Sequence, residues 1–571
     1  MSNGSTDARA AARWLQAFEK ALRAPDRAPL AALFRPDAHW RDLLVFSWEV
    51  KTVSGARAVV DGLKRHSAGK GARGFEVDPG RTPPRRVVRA GADVVEAIFR
   101  FETSLGRGAG VVRLVAEGDA WKCWTLLTAL DGIKGFEEGA AERGPRDADR
   151  DPAVLIVGGG HAGLSIAARL RALNVDALIV DRHARVGDNW RKRYQALTLH
   201  NQKHVNHFPY IPFPPDWSAY IPKDKLAGWL EGYAERLGLD FRTGTEFRGG
   251  TFEAGRWTVE LRGKGGTQSM HPRHVVVATG VSGIPNAPDI PGLAGFSGRV
   301  MHSHEYDDAT GWKGRDAIVI GTGTSGHDIA QDLHSSGARV TLVQRSPTLV
   351  LNLEPSAQLV YALYGEGPPL EDCDLITTSV PLALLRKAHR AWAGQSKQLD
   401  RPLLDGLTRV GFRIDTEDEL GWQFKYLQRG GGYYFNVGCS ELIVERKIPV
   451  VQFSDIEGFA AEGARLRGGG RIPADLIVLA TGYLGLDVLV RRLLGDAVAD
   501  RVGPIWGFDE EAQELRNMWT RTGQPGLWFI AGSFAQCRIY SKYLALQIKA
   551  VEEGLIPAGV PRSALADSAV A

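Results

Sequence analysis

Hydrophobic positions along the chain change register twice. Residues 7–22 place apolar side chains at helical spacing, a shorter helical pattern covers 30–34, and residues 56–66 repeat the helical period. Residues 39–44, 93–101, 110–116 and 120–127 instead alternate apolar with polar, the pattern of half-buried antiparallel strands. From Val154 onward the strands read as short continuous apolar runs: 154–157, 177–180, 317–320, 340–343 and 476–480. Runs of that kind, separated by helical patterns, predict parallel strands covered on both faces. The fold class expected is therefore α/β in the larger part, preceded by an α+β unit. Between the two regimes residues 137–152, EEGAAERGPRDADRDP, hold no large apolar side chain and predict a linker. Such a linker predicts that the leading unit is separable from the chemistry of the rest.

Two of the apolar runs end in glycine-rich turns. After 154–157 comes Gly158-x-Gly160-x-x-Gly163, then a helix, a second strand and Asp181 followed by Arg182. Gly158 permits the tight turn, Gly160 lets backbone N–H groups approach a pyrophosphate, and Gly163 lets helix and strand pack closely. The helix start then presents its positive dipole end to phosphates, and Asp181 is placed to accept hydrogen bonds from a ribose. A second unit begins at Gly321-x-Gly323-x-Ser325-Gly326. Asp181 lies 23 residues after Gly158; 23 residues after Gly321 stands neutral Gln344, followed by Arg345 and Ser346. A carboxylate there would repel a ribose 2′-phosphate, whereas a guanidinium and a hydroxyl can hold one. The first unit thus suits FAD and the second NADPH. Two short crossings, Ala278-Thr279-Gly280 and Ala480-Thr481-Gly482, follow apolar runs and can pass close to the dinucleotides. Domain boundaries follow: residues 1–136 leading unit, 137–152 linker, 153–292 first part of the FAD domain, 293–480 NADPH domain with a helical insertion, 481–571 remainder of the FAD domain.

Composition narrows the partners. With 70 basic and 66 acidic residues in 571, net charge is only +4, so nucleic acid is not expected. No apolar run is long enough for a transmembrane segment and no leader pattern opens the chain, which predicts a cytoplasmic protein. Cys123, Cys373, Cys439 and Cys537 lie far apart, which disfavours a dithiol centre, a disulfide framework and a metal site. Residues 355–430 carry apolar and basic helical runs that suit either the lid of a substrate channel or contact with a membrane surface.

In the leading unit the order helices, strand, helix, strands, with Phe34-x-x-Asp37-Ala38-x-Trp40 and Asp42, resembles the NTF2-like or SnoaL-like cone. Such cones act as small enzymes, ligand binders or dimerisation modules, which leaves a homodimer through this unit as an expectation. His39 and Asp42 are either an acid–base pair or scaffold positions on a strand.

Between the glycine units stands Phe296-x-Gly298-x-x-x-His302-x-x-x-Tyr306. With both fingerprints, Gly187-x-x-Trp190 and Ala480-Thr481-Gly482-Tyr483, residues 153–555 closely resemble the class B flavin-containing monooxygenases. The related Baeyer–Villiger enzymes carry Trp at the place of Tyr306. Leu197-x-Leu199-His200-x-x-Lys203 looks most like the plant YUCCA enzymes, which oxidatively decarboxylate indole-3-pyruvate. Animal-type members carry Asn at the place of His200; here Asn201 comes one position later. The resemblance implies FAD and NADPH as cofactors, O2 and a small molecule as substrates, and oxygen activation at flavin C4a. It implies catalytic places for His200, Asn201, His302 and Tyr306, and cofactor contacts for Trp190, Thr279 and Thr481 besides the glycine units. The expected activity is NADPH-dependent oxygenation of a small aromatic or apolar substrate, a 2-oxo acid among them. Baeyer–Villiger, N- or S-oxygenation is the alternative, and a non-oxygenating redox sensor with a ligand-binding cone is a further one.

Overall fold

A computed structural model describes residues 2–139 and 150–558; most of the expected linker, 140–149, lies outside the described residues, as does 559–571. The first unit comprises α1 (Ser2–Arg23), α2 (Ala28–Ala31), β1 (Phe34–Leu43), β2 (Val50–Ser54), α3 (Ala56–Ser67), β3 (Arg73–Val77), β4 (Arg85–Arg89), β5 (Ala92–Glu102), β6 (Gly106–Glu117) and β7 (Ala120–Ile133). Its strands form one sheet in the order β2-β1-β7-β6-β5-β3, with β4 also paired to β5. Register shifts at Arg107/Gly108 and Arg113/Leu114 bend the long β6–β7 pair. Aromatic rings fill the space under the helices: Phe75 stacks on Phe101 at 4.6 Å and Trp14 on Phe18 at 5.0 Å. Gly108 and Gly110 are glycine because a Cβ would stand 2.4 Å and 2.3 Å from the Phe101 and Phe99 rings.

His39 and Asp42 do not form an acid–base pair. They are three apart on β1, so the strand's period of two turns them to opposite faces. Asp42 accepts from Thr128 Oγ1 at 2.7 Å and from the Ser47 amide at 2.8 Å, and complete burial raises its carboxyl to about 6. His39 pairs with Ser54 across β2 at 2.8 Å. The scaffold reading holds.

The larger part contains two parallel sheets. In the first, β8 (Val154–Val157), β9 (Ala177–Val180), β10 (Phe241–Arg242), β11 (His274–Val277) and a late strand, Leu527–Phe529, align in the order β10-β9-β8-β11 and then 527–529. Helix α4 (His161–Ala172) joins β8 to β9. The second sheet contains β12 (Arg299–His302), β13 (Asp316–Ile320), β14 (Arg339–Gln344), β15 (Val450–Gln452) and β16 (Leu476–Leu479), ordered β12-β16-β13-β14-β15, with α5 (Thr324–Ser335) between β13 and β14. All four residues of β8 and of β16 are buried, as two covered faces require. These are Rossmann-like units. The strand at 527–529, now β17, is followed by α6 (Phe534–Glu552). Its start is fixed by Ser533, which forms a reciprocal capping box with Gln536.

The leading unit is not separable in packing terms. The sheet face opposite its aromatic interior docks on the same chain. Arg41 binds Glu514 through two bonds of 2.8 Å and 2.7 Å and donates to the Thr378 carbonyl. Arg113 reaches the Ile376 carbonyl at 3.3 Å, and Arg81 and Thr82 hold Asp372. Glu96, almost fully buried, receives Arg113, Arg89 and Arg85; burial alone would raise its carboxyl, but the three guanidiniums hold it down to about 2. Paired charges buried in this way specify orientation, because loss of either partner leaves a buried charge uncompensated.

Candidate active site

The two glycine units repeat one solution in backbone geometry. Gly158 (φ +104°) and Gly321 (φ +120°) lie in the left-handed region, where a Cβ would stand 2.7 Å and 2.2 Å from the carbonyl oxygens of Ala278 and Ala480. Each crossing therefore lies directly against the first glycine of its unit. At the third glycine a Cβ would come to 2.0 Å from Gly158 O (Gly163) or 1.9 Å from Gly321 O (Gly326). Gly163 thus serves the strand–helix approach and stands behind the cavity wall. Between them, the Gly160 and Gly323 N-caps carry no side-chain cap, so the first N–H groups of α4 and α5 remain free for an anion.

Both helix starts open on one cavity of ≈ 1550 Å³. Its wall includes Gly158, Gly160, Asp181, Arg182, Trp190, His200, Asn201 and Thr279 from the first lobe. From the second come Gly321, Gly323, Ser325, Gly326, Arg345, Ser346, Thr481 and Gly482. Trp190 Nε1, Thr279 Oγ1 and Tyr483 Oη are buried polar atoms of wall residues with no protein partner. Two uncapped helix starts, unpaired donors and a volume beyond that of an ordinary small-ligand pocket fit two dinucleotides, FAD and NADPH.

Asp181 is partly committed: Oδ2 accepts from the Gly159 amide at 2.7 Å, and Oδ1 from the His183 amide and ring. Burial would raise its carboxyl, but these bonds hold it below the usual range, so it stays ionised with lone pairs left for a ribose. Gln344 is buried and turned elsewhere. Its amide donates to the Arg413 carbonyl at 2.9 Å and accepts from the Arg413 N–H at 2.7 Å, pinning the insertion to the end of β14. The place of an acid is thus taken by a neutral structural group, while Arg345 stands exposed on the cavity wall.

His302 and Tyr306 are not among the residues lining the cavity, although Ser303 and His304 beside them are. His302 Nε2–H donates to the Gly482 carbonyl at 3.1 Å and its Nδ1 accepts from the His304 amide at 3.1 Å, so one tautomer satisfies both bonds. Tyr306 Oη donates to Asp332 on α5 at 2.7 Å. One turn earlier on the same helix, Tyr194 donates to Asp328 at 2.6 Å, and burial raises the Asp328 carboxyl to about 6. Both residues of the motif are held by hydrogen bonds, His302 to the second crossing at Gly482 and Tyr306 to α5. Sequence reasoning missed their acceptors because i, i+4 acids on a helix read as a solvated face.

At one end the cavity is bounded by an aromatic cluster that periodicity alone does not bring together. Residues 355–430, expected as lid or membrane contact, supply Tyr361, Trp422 and Tyr426 to this wall. Phe435 lies 4.8 Å from the His200 ring and 4.9 Å from Trp422. Asn201 Nδ2 donates to Tyr361 Oη at 3.0 Å. Enclosure pushes the His200 imidazole down to about 4, so it is neutral near pH 7. Among the described residues no group of side chains offers a metal site, no helix is long and apolar enough to cross a membrane, and all four cysteines are buried and free.

Residues 155–361 match the family model of pyridine nucleotide-disulphide oxidoreductases. The chain is 32% identical over 336 residues to the indole-3-pyruvate monooxygenase YUCCA1 of Oryza sativa subsp. japonica, covering 58% of this chain and 77% of the relative. It is 31% identical over 335 residues to the probable indole-3-pyruvate monooxygenase YUCCA10 of Arabidopsis thaliana, covering 58% and 81%. Among solved structures, ε-caprolactone-bound cyclohexanone monooxygenase overlays with a TM-score of 0.54 at 16% identity, covering 73% of this chain and 91% of that one. The NADP+-bound enzyme from Rhodococcus sp. Phi1 gives 0.52 at 17%, covering 70% and 85%. At those identities the overlays show a shared fold. The matches to YUCCA proteins at more than 30% identity carry the relationship itself.

Proposed function

This chain belongs to the flavin-dependent monooxygenase family that includes the YUCCA enzymes, and on that premise we propose that it oxygenates a small aromatic or apolar molecule at the expense of NADPH and O2. The observation that carries the reading is the single cavity joining two uncapped dinucleotide helix starts to an aromatic end chamber. Gly158, Gly160, Asp181, Arg182, Trp190 and Thr279 would hold FAD. Gly321, Gly323, Ser325, Gly326, Arg345 and Ser346 would hold NADPH, with Thr481 and Gly482 at the second crossing. FAD reduced by NADPH supplies the two electrons that activate O2; the net change puts one oxygen atom in the substrate and the other in water. The protein's part is placement and dryness. Arg345 selects the phosphorylated nicotinamide cofactor, while His302, Tyr306 and the two α5 acids position the second unit. The aromatic wall excludes water around the reacting atoms.

Indole-3-pyruvate, named for the relatives, is an aryl 2-oxo acid; in this chain the chamber's aromatic lining favours an aryl group on any substrate. We read the leading unit as an NTF2-like cone held as a rigid brace. Its docked face is covered by its own chain, so a homodimer through this unit would use another surface. The four free thiols support a reducing, cytoplasmic setting. Purified holoenzyme given NADPH, 18O2 and aryl ketones, sulfides, amines and 2-oxo acids tests the proposal by mass spectrometry. A product carrying one labelled atom is expected; NADPH oxidation with no labelled product from any of them defeats the reading.

A further inference from the structure

The chamber at the aromatic end of the cavity is distinguished by what its polar groups have in common. We propose that it is a binding site for an uncharged aryl substrate and discriminates against a substrate that carries a carboxylate. This deepens the oxygenase reading and rests on it for the chemistry, though not for the binding.

Three sides of the chamber are aromatic: Phe435 against His200, Trp422 at right angles to Phe435, and Tyr361 6.0 Å from Trp422. Phe435, Trp422 and Tyr361 belong to one buried cluster with Leu349 and Leu351, which gives the wall an apolar backing. The hydrogen-bonding groups on this part of the wall include Asn201, Tyr361, Gln423, Tyr426, Tyr433 and His200. None carries a positive charge at neutral pH; the His200 imidazole is held neutral by enclosure.

Three cations on the segments that frame the chamber are already committed, and the exposed Arg429 guanidinium beside Gly432 is not among the wall residues. Arg538 is held by Asp374 through bonds of 2.8 Å and 2.7 Å and by two carbonyls. Lys425 is bound to Asp415, and Lys203 is bound to the carbonyls of Pro215 and Trp217 at 2.6 Å. Among the described residues, the Arg and Lys side chains on the cavity wall are Arg182, Lys192, Arg193 and Arg345. Arg182 follows the β9 acid and Arg345 follows β14. Arg193 lies close enough to His302 and His304 for its charge to act on them. These places belong to the dinucleotide half, where phosphates compete for the charge. A carboxylate entering the aromatic end would give up water without a counter-ion, which is strongly unfavourable. A ketone, sulfide or other neutral aryl compound loses only what the rings and the neutral donors replace, and the Asn201–Tyr361 pair offers bonds to a carbonyl oxygen.

The test is a pair of ligands alike in aryl group and different in charge: phenylacetone and phenylpyruvate, titrated into the FAD-loaded full-length protein with NADP+ present. Binding is read from the flavin absorbance spectrum and from tryptophan fluorescence. Phenylacetone is expected to bind at least tenfold more tightly, and Gln423→Arg is expected to reverse the order by placing a cation on the wall. Equal or tighter binding of phenylpyruvate to the unmodified protein overturns the proposal, as does failure of phenylacetone to bind. The unmodified-protein titration decides the matter even where Gln423→Arg does not fold. If phenylacetone binds preferentially but no labelled product forms from any substrate with NADPH and 18O2, the oxygenase reading fails and the charge preference stands.

Discussion

The Tyr306 hydroxyl donates to the Asp332 carboxylate at 2.7 Å, and that bond ties the segment after β12 to α5 within the second dinucleotide unit. Tyr194 repeats the contact one turn away at Asp328. Tyr306→Phe removes the donor and leaves a partly buried carboxylate with less compensation, a loss of about 1.5–3 kcal/mol for a bond to a charged group. FAD content should be unchanged, and flavin reduction by NADPH should slow about tenfold, because hydride transfer depends on how the second unit presents the nicotinamide cofactor. Stopped-flow reduction beside a flavin-to-protein ratio checks this. A Tyr306→Phe protein that reduces at the normal rate assigns the bond to stability alone.

Arg345 is the exposed cation at the end of β14. Arg345→Ala should raise KM for NADPH by about tenfold, about 1.4 kcal/mol, and leave NADH kinetics little changed. Equal losses with both cofactors would assign Arg345 to folding.

Gly160 lies between Gly158 and α4, where its Cβ would already approach the Asn189 amide to 2.9 Å. Gly160→Val should purify colourless and folded by circular dichroism. The branched side chain occupies the approach that a pyrophosphate needs at the helix start. A yellow variant with stoichiometric FAD would refute the placement of the flavin.

The glycine units, the missing acid at Gln344 and the short buried strands of the α/β part were legible because each is local: a turn, a short spacing, a run of four apolar residues. The docking of the leading unit was not. Arg41, Glu96 and Arg113 sit at alternating polar positions, which read as a solvated strand face until Glu514 and the 376–378 carbonyls arrive from far along the chain. The linker's composition pointed to separability, but composition reports on the linker and not on the face beside it. The aromatic chamber was hidden for a related reason: Tyr361, Trp422 and Phe435 come from three segments with no shared period.

That docking alters what truncation and acid should do. A chain beginning at Asp151 uncovers Asp372, Ile376, Glu514 and Tyr540, which the leading unit contacts, so it should lose solubility and melt well below the full-length protein. Glu96 gives the pH dependence. Its carboxyl falls from the ordinary 4.5 to about 2 on folding, so its stabilisation is complete above pH 4.5 and is lost as pH drops toward 2. The shift corresponds to about 3 kcal/mol. Glu96→Gln should lower Tm at pH 7 and flatten the fall in Tm between pH 4.5 and 3. An unchanged acid limb, measured by calorimetry, would place the pH sensitivity elsewhere.

The most direct test of monooxygenase function is the ratio of labelled product to NADPH consumed, in 18O2, with catalase present and an aryl substrate at saturation. A dry aromatic chamber joined to both dinucleotide troughs predicts a ratio near one, one labelled atom per product, and no effect of catalase. Product that disappears when catalase is added, while NADPH oxidation continues, would show that released hydrogen peroxide did the chemistry and would contradict the account.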